Sequence, residues 1–138
     1  MHLTALFAQP ITAAQALAAV PTSAITLPDA PRSIAVQANL TYGSGGTSID
    51  AYLQTSLDAG ATWIDIAQFH FTTASARFVY NLSSATPVTA EYTPGDGTLA
   101  ANTAKDGVLG NMLRVKLASV GTYAGGTTLS LDVVTQDK

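Results

Sequence analysis

Ser56, Asp58, Gly60, Thr62 and Trp63 lie close together in the string SLDAGATW, which fits the pattern S-x-D-x-G-x-T-W. A short acidic side chain two residues before a glycine has two chemical uses. It can accept hydrogen bonds from the backbone N–H groups that follow and so fix a turn, or it can serve a substrate. His70, in the string FHF, is the one histidine away from the N-terminus and so the one candidate base in the body of the chain. No G-x-S-x-G or comparable frame supplies it with a nucleophile. Asp96, Asn102 and Asp106 carry oxygen ligands, but their spacing fits neither an EF-hand nor a nonapeptide calcium repeat. The glycine-rich GSGG after Tyr42 resembles a phosphate loop in composition only. A phosphate loop opens a helix, whereas TSIDAYLQ has the period of a strand, so we read GSGG as a hairpin turn.

The SLDAGATW motif is the Asp box best known from sialidase propellers, where it sits at the periphery, away from the catalytic cluster. A propeller needs at least four four-stranded blades, and this chain has room for about half of that. Local chemistry accounts for every member of the motif. Asp58 accepts from the turn, Gly60 supplies a positive φ, Ser56 and Thr62 flank the turn, and Trp63 packs over the hairpin. The reading is a structural turn, with no catalytic residue and no metal ligand assigned.

The elements that must hold this turn follow from periodicity. Residues 1–31 read as an N-terminal arm. Thr12 and Gln15 fit a capping box ahead of ALAAV, which predicts a short helix. Pro21, Pro28 and Pro31 then predict a stiff extended lead-in. From Arg32 the period is two. SIAVQANLTY, SIDAYLQTS, TWIDIAQFHF, ARFVYNL, PVTAEY, NMLRVKLASV and TTLSLDVVTQ read as strands, and TPGDGTLAANTAKDGVLG reads as a long loop. The expected fold is all-β: an antiparallel β-sandwich or jelly roll of about seven to eight strands spanning 32–138, preceded by the arm. Counting back from the Asp turn pairs Thr55 with Ile64, Gln54 with Asp65, Leu53 with Ile66 and Tyr52 with Ala67. That register puts Tyr52, Trp63, Phe69 and Phe71 on the face away from the core, so both faces carry apolar weight. The arm, another subunit or a bound sugar stacked on Trp63 and Tyr52 would cover the second face. Tyr52, Trp63 and Phe69 are thus a candidate partner or glycan face.

Bulk composition narrows the function classes. The 138 residues suit one domain, and the chain has no cysteine, hence no disulfide or thiolate chemistry. Charged residues make up only 11% against a usual quarter. Six cations against nine carboxylates give a net charge of −3. The cations are scattered, which argues against nucleic-acid binding, and no apolar run reaches the about 20 residues of a membrane helix. The N-terminus lacks a basic n-region, and Gln9, Pro10 and Gln15 interrupt its apolar stretch, so it does not read as a signal peptide. A surface this poor in charge suits a protein packed against neighbours.

YGSGGTSIDAYLQTSLDAGATWIDIAQFHF and DGVLGNMLRVKLASVGTYAGGTTLSLDVV resemble small β-sandwich proteins encoded among the structural genes of tailed phages and prophages. The resemblance covers Arg32 to the C-terminus. It implies a non-enzymatic virion component without cofactor, most simply a capsid decoration or cement protein. Its partners would be the major capsid protein and further copies of itself, a trimer by analogy with other cement proteins. Neck or tail accessory proteins share the same pattern. The alternative is a carbohydrate-binding or adhesion module using Trp63, Tyr52 or Tyr123 for stacking.

Overall fold

The computed structural model describes residues 2–21, 23–91 and 93–136. Its strands are β1 (His2–Pro10), β2 (Gln15–Ala19), β3 (Ile25–Thr26), β4 (Ser33–Thr41), β5 (Ser44–Gly45), β6 (Ser48–Ser56), β7 (Ile64–Phe71), β8 (Ala76–Ser83), β9 (Met112–Val120), β10 (Tyr123–Ala124) and β11 (Thr128–Gln136). Alternation of apolar and polar residues makes β4, β6, β9 and β11 strands with one buried face. Every pairing is antiparallel. Sheet A has the order β1-β11-β4-β8, and sheet B the order β2-β9-β6-β7, with β3 also on β9. A single apolar cluster draws on both sheets. Ile34, Val36, Leu40, Leu129, Leu131 and Val133 come from sheet A, and Ile49, Leu53, Leu113, Val115 and Leu117 from sheet B. The protein is all-β and sandwich-like.

The N-terminal helix expected from Thr12, Gln15 and ALAAV is absent. Gln15–Ala19 is β2 and pairs with β9, while β1 pairs along its length with β11. An isolated helix of one or two turns is marginal in water. Strand β9, paired with β6 on its other side, offers a ladder of backbone partners instead, and tertiary pairing overrides the weak propensity of an alanine-rich run. The segment after β2 does lie along β9: Val20 N–H donates to Val115 O at 2.8 Å, Val115 N–H donates to Ser23 Oγ at 2.9 Å, and Leu27 N–H donates at 2.7 Å to Asn111 O, the residue just before β9.

Among the described residues there are eleven strands against the expected seven to eight. β3, β5 and β10 are two-residue pairings. Residues 87–91 of the expected strand PVTAEY are irregular and exposed, without a partner strand among the described residues, and Tyr92 lies outside them. GSGG is also not a hairpin turn. β4 lies in sheet A and β6 in sheet B, so residues 42–47 cross from one sheet to the other. Residues 121–127 cross back between β9 and β11, and the two crossings pair as β5 and β10. Gly46 N–H donates to Thr122 O at 2.8 Å. A Cβ at Gly46 would overlap the ring of Tyr123, which is buried and donates its hydroxyl to Thr72 O at 2.8 Å.

The β6–β7 hairpin starts as the sequence implies, with Thr55 opposite Ile64 and Gln54 opposite Asp65. A β-bulge then makes Ile66 an extra residue, so Leu53 faces Ala67 and Tyr52 faces Gln68. One added residue reverses every later side chain. Phe69 and Phe71 therefore point into the core rather than outward beside Tyr52. Phe69 packs on Tyr80 with ring centroids 5.0 Å apart, and Phe71 on Phe78 at 5.2 Å. We expect Phe69→Ala to lower stability in urea unfolding by about 3–5 kcal/mol. A loss under about 1 kcal/mol would place this ring at the surface.

Candidate functional site

Two polar assemblies sit on sheet B, one at the β6–β7 turn and one on its outer face. In the turn, Asp58 does the organising. Its Oδ1 accepts from Thr62 N–H at 2.8 Å and from Ser56 Oγ at 2.9 Å, and its Oδ2 accepts from Thr62 Oγ1 at 2.5 Å. Ser56 Oγ in turn accepts from Gly60 N–H at 2.8 Å. The chain passes through φ 59° at Ala59 and 89° at Gly60. Glycine takes the second value without steric cost, whereas Ala59 in the left-handed region costs about 1–2 kcal/mol. The hydrogen bonds around Asp58 hold the chain there.

Trp63 follows the turn and is partly buried. The guanidinium of Arg114 lies 4.4 Å from its ring centroid, a cation–π contact that covers this indole face. Arg114 Nε also donates to Gln54 Oε1 at 2.7 Å. Sequence reasoning grouped Tyr52, Trp63 and Phe69 as one face, and the structure does not bring them together. Phe69 is in the core, and Trp63 lies under Arg114. Tyr52 stands on the outer face opposite Gln68 and Lys116. Burial, and after it the charge of Asp50, push the Tyr52 phenol above its ordinary value. Tyr123 fills the sheet crossing described above.

The long loop covers the outer face of sheet B, a position that its turn-rich sequence does not reveal. Gln54, Asp65 and Gln68 all point away from the core, yet all are buried. Asp65, at 2% exposure, accepts from Gln54 Nε2 at 2.8 Å. Its Oδ2 takes the backbone N–H groups of Gly97 and Thr98, both at 2.8 Å, and of Leu99 at 3.1 Å. Three successive N–H groups converging on one carboxylate form an anion nest made by the chain for its own side chain. Gln68 Oε1 accepts from Asn102 N–H at 2.7 Å, and Asn102 Oδ1 accepts from His70 N–H at 3.1 Å. Backbone bonds along the free side of β7 complete the cover: Asp65 N–H to Gly95 O, Gln68 N–H to Thr103 O and Lys105 N–H to Ile66 O. The sequence signal for this was polar residues at the outward positions of β6 and β7 followed by a glycine-rich loop able to turn its N–H groups inward.

Asp96, Asn102 and Asp106 go to three different places. Asp96 Oδ1 sits 2.8 Å from Lys116 Nζ and accepts from Gln54 Nε2 at 2.7 Å. Desolvation pushes its carboxyl up, but the Lys116 and Gln54 bonds and the charges of Lys116 and Arg114 outweigh that and hold it low. Asp106 Oδ1 accepts from Ser83 N–H at 2.6 Å. Among the described residues no cluster of three or more acidic or histidine side chains is placed to hold a metal ion. His70 Nδ1 lies 2.7 Å from Asp50 Oδ1, which also accepts from Gln68 Nε2 at 2.8 Å. That pair orients an imidazole, and among the described residues no hydroxyl hydrogen-bonds to its ring.

Comparison with protein-family models, curated proteins and solved structures finds no match.

Two measurements test this geometry. Asp65→Asn removes the charge and turns an amide N–H₂ toward backbone donors. We expect it to cost about 2–4 kcal/mol in chemical unfolding, with faster hydrogen exchange at Gly97, Thr98 and Leu99; unchanged exchange there would exclude the nest as the loop's anchor. For Asp58, the Thr62 hydroxyl and then the Thr62 N–H and Ser56 hydroxyl hold the carboxyl below its ordinary value. A depressed folded value means the turn's stabilisation is present above the ordinary carboxylate range and lost as pH falls through the folded value. In an NMR titration the Thr62 amide proton should shift with an apparent midpoint below about 3.9. A midpoint above that would contradict the bonding pattern.

Proposed function

We propose that this chain is a non-enzymatic structural component of a tailed-phage virion, most simply a capsid decoration or cement protein. The observation that carries this reading is the outer face of sheet A. Ala35, Asn39, Val79 and Asn81 are exposed there, Gln37 and Val134 partly so, and among the described residues its charged side chains are Asp132 and Arg77. This face is broad and nearly neutral, and it asks little desolvation of a protein neighbour. A shallow depression of about 600 Å³ between Ala5, Ala35, Val79 and Val134 adds relief for a partner side chain.

Two further points support the reading. Numbering only the eight long strands in chain order, the sheets run 1-8-3-6 and 2-7-4-5. That is the connectivity of a jelly roll, an architecture used by viral capsid and lectin domains. Fold alone does not assign function, and between those two uses the aromatic residues favour the first, since Phe69 is in the core and Trp63 lies under Arg114. The second point is the engagement of the polar groups on sheet B with one another and with the loop. In this reading the partners are the major capsid protein and further copies of this chain, and the location is the assembled particle.

Mass spectrometry of purified virions from the encoding host, with copy number relative to the major capsid protein, tests the proposal. Stoichiometry near that of the capsid protein is expected. A few copies per particle would move the protein to the neck or tail, and absence from particles would overturn the virion reading.

A further inference from the structure

Sheets A and B end side by side on β8 and β7, and the two edges are treated differently. The long loop covers β7, with Gly95, Thr103 and Lys105 meeting its backbone and Ala104 bridging to Ala67. On β8 the hydrogen-bonding parity can be read from its end. Ser84 N–H donates to Arg32 O, beside β4, whereas Ser83 N–H points the other way and donates to Asp106 Oδ1. Alternation along a strand then turns the N–H and C=O groups of Arg77, Val79 and Asn81 away from β4. Among the described residues no hydrogen bond reaches these three N–H groups. Edge strands are commonly blunted by a bulge, a proline, a lysine or short length. β8 has eight residues, pairs with β4 without a register shift, and contains neither proline nor lysine. It also leaves Phe78 36% and Val79 60% exposed.

The edge is complementary to itself. Asp106 occupies the ladder position at Ser83, so an added strand must stop short of it. One antiparallel two-fold register uses all three open residues: Val79 opposite Val79 of the second copy, and Arg77 opposite Asn81 at each end. Each facing pair then exchanges both backbone bonds. On the inner side the same register sets Phe78 opposite Tyr80, an aromatic cross-strand pair at both ends. These extend rings already packed on Phe71 and Phe69. The charges agree as well. The Arg77 of each copy lies next to the carboxylate of Asp106 that ends the partner strand. The two Arg77 backbone positions are separated by about 14 Å along the strands, beyond the screening length at physiological salt. Moving the register by two residues places Arg77 opposite the occupied Ser83 N–H or leaves Asn81 unpaired.

We infer that this chain forms a two-fold dimer through antiparallel β8–β8 pairing centred on Val79, joining sheet A of both copies into one continuous sheet. This stands apart from the virion reading and differs from the trimer implied by analogy, because an antiparallel edge pair closes at two. The test is sedimentation equilibrium of the full chain and of Val79→Lys and Val79→Glu. Val79 is exposed and its N–H points away from β4, so both variants keep the β4 ladder. The wild type should have twice the chain mass, each variant alone the monomer mass, and an equimolar mixture of the two variants the dimer mass again. A monomeric wild type, a trimer, or an oligomer that survives Val79→Lys would each overturn the inference. If a variant fails to fold, hydrogen exchange in the wild type decides the matter. The amides of Arg77, Val79 and Asn81 should exchange at least about tenfold faster on dilution below the association range, and no concentration dependence would overturn the dimer.

Discussion

A carboxylate withdrawn from water needs donors around it, and the burial of Asp65 on the outer face of sheet B makes this requirement concrete. The donors come from Gln54 across the hairpin and from three consecutive amides of the long loop. That one demand fixes where a loop with no regular secondary structure of its own must lie. With the loop in place, Gln68 meets Asn102, Asp96 meets Lys116, and the free side of β7 gains backbone partners. The polar face of sheet B then becomes an interior surface, and the loop serves as a third, partial layer over the sandwich.

The bulge at Ile66 is what puts Gln68 and His70, rather than Phe69 and Phe71, on that face. The even-numbered aromatics of β8, Phe78 and Tyr80, lie against these two core rings. The same hairpin thus serves two environments. Its bulge aligns the aromatic side with the core and the polar side with the loop, and the Asp58 turn sets its starting register. The two edges at this side of the molecule consequently differ: β7 is closed by its own chain, and β8 keeps three residues of open backbone.

Legibility in the sequence tracked how local each cause is. The strands at Ser33–Thr41, Met112–Val120 and Thr128–Gln136, and the first half of Ser48–Ser56, follow from alternation, because each buries one face against the core. The turn at Ser56 to Trp63 follows from side chains that bond to their own near neighbours. Gln15–Ala19 misleads because alanine fits a helix or a strand, and only β9 decides which. GSGG misleads because a glycine-rich turn looks the same whether it reverses a strand within a sheet or carries it across to the other.

By itself the sequence determined the class of fold, the places of the long strands, the Asp58 turn, and a surface poor in charge. These rest on period-two patterning, short-range hydrogen bonding and composition, which act within a few residues. Only the tertiary structure decided the strand order, the bulge that turned Phe69 inward, the fate of the N-terminal segment, and the burial of Asp65 beneath a loop some thirty residues further along. Each depends on which distant backbone groups find one another. Such pairing is selected by the summed burial and hydrogen bonding of the whole chain, and no local stretch carries enough of that sum to reveal it.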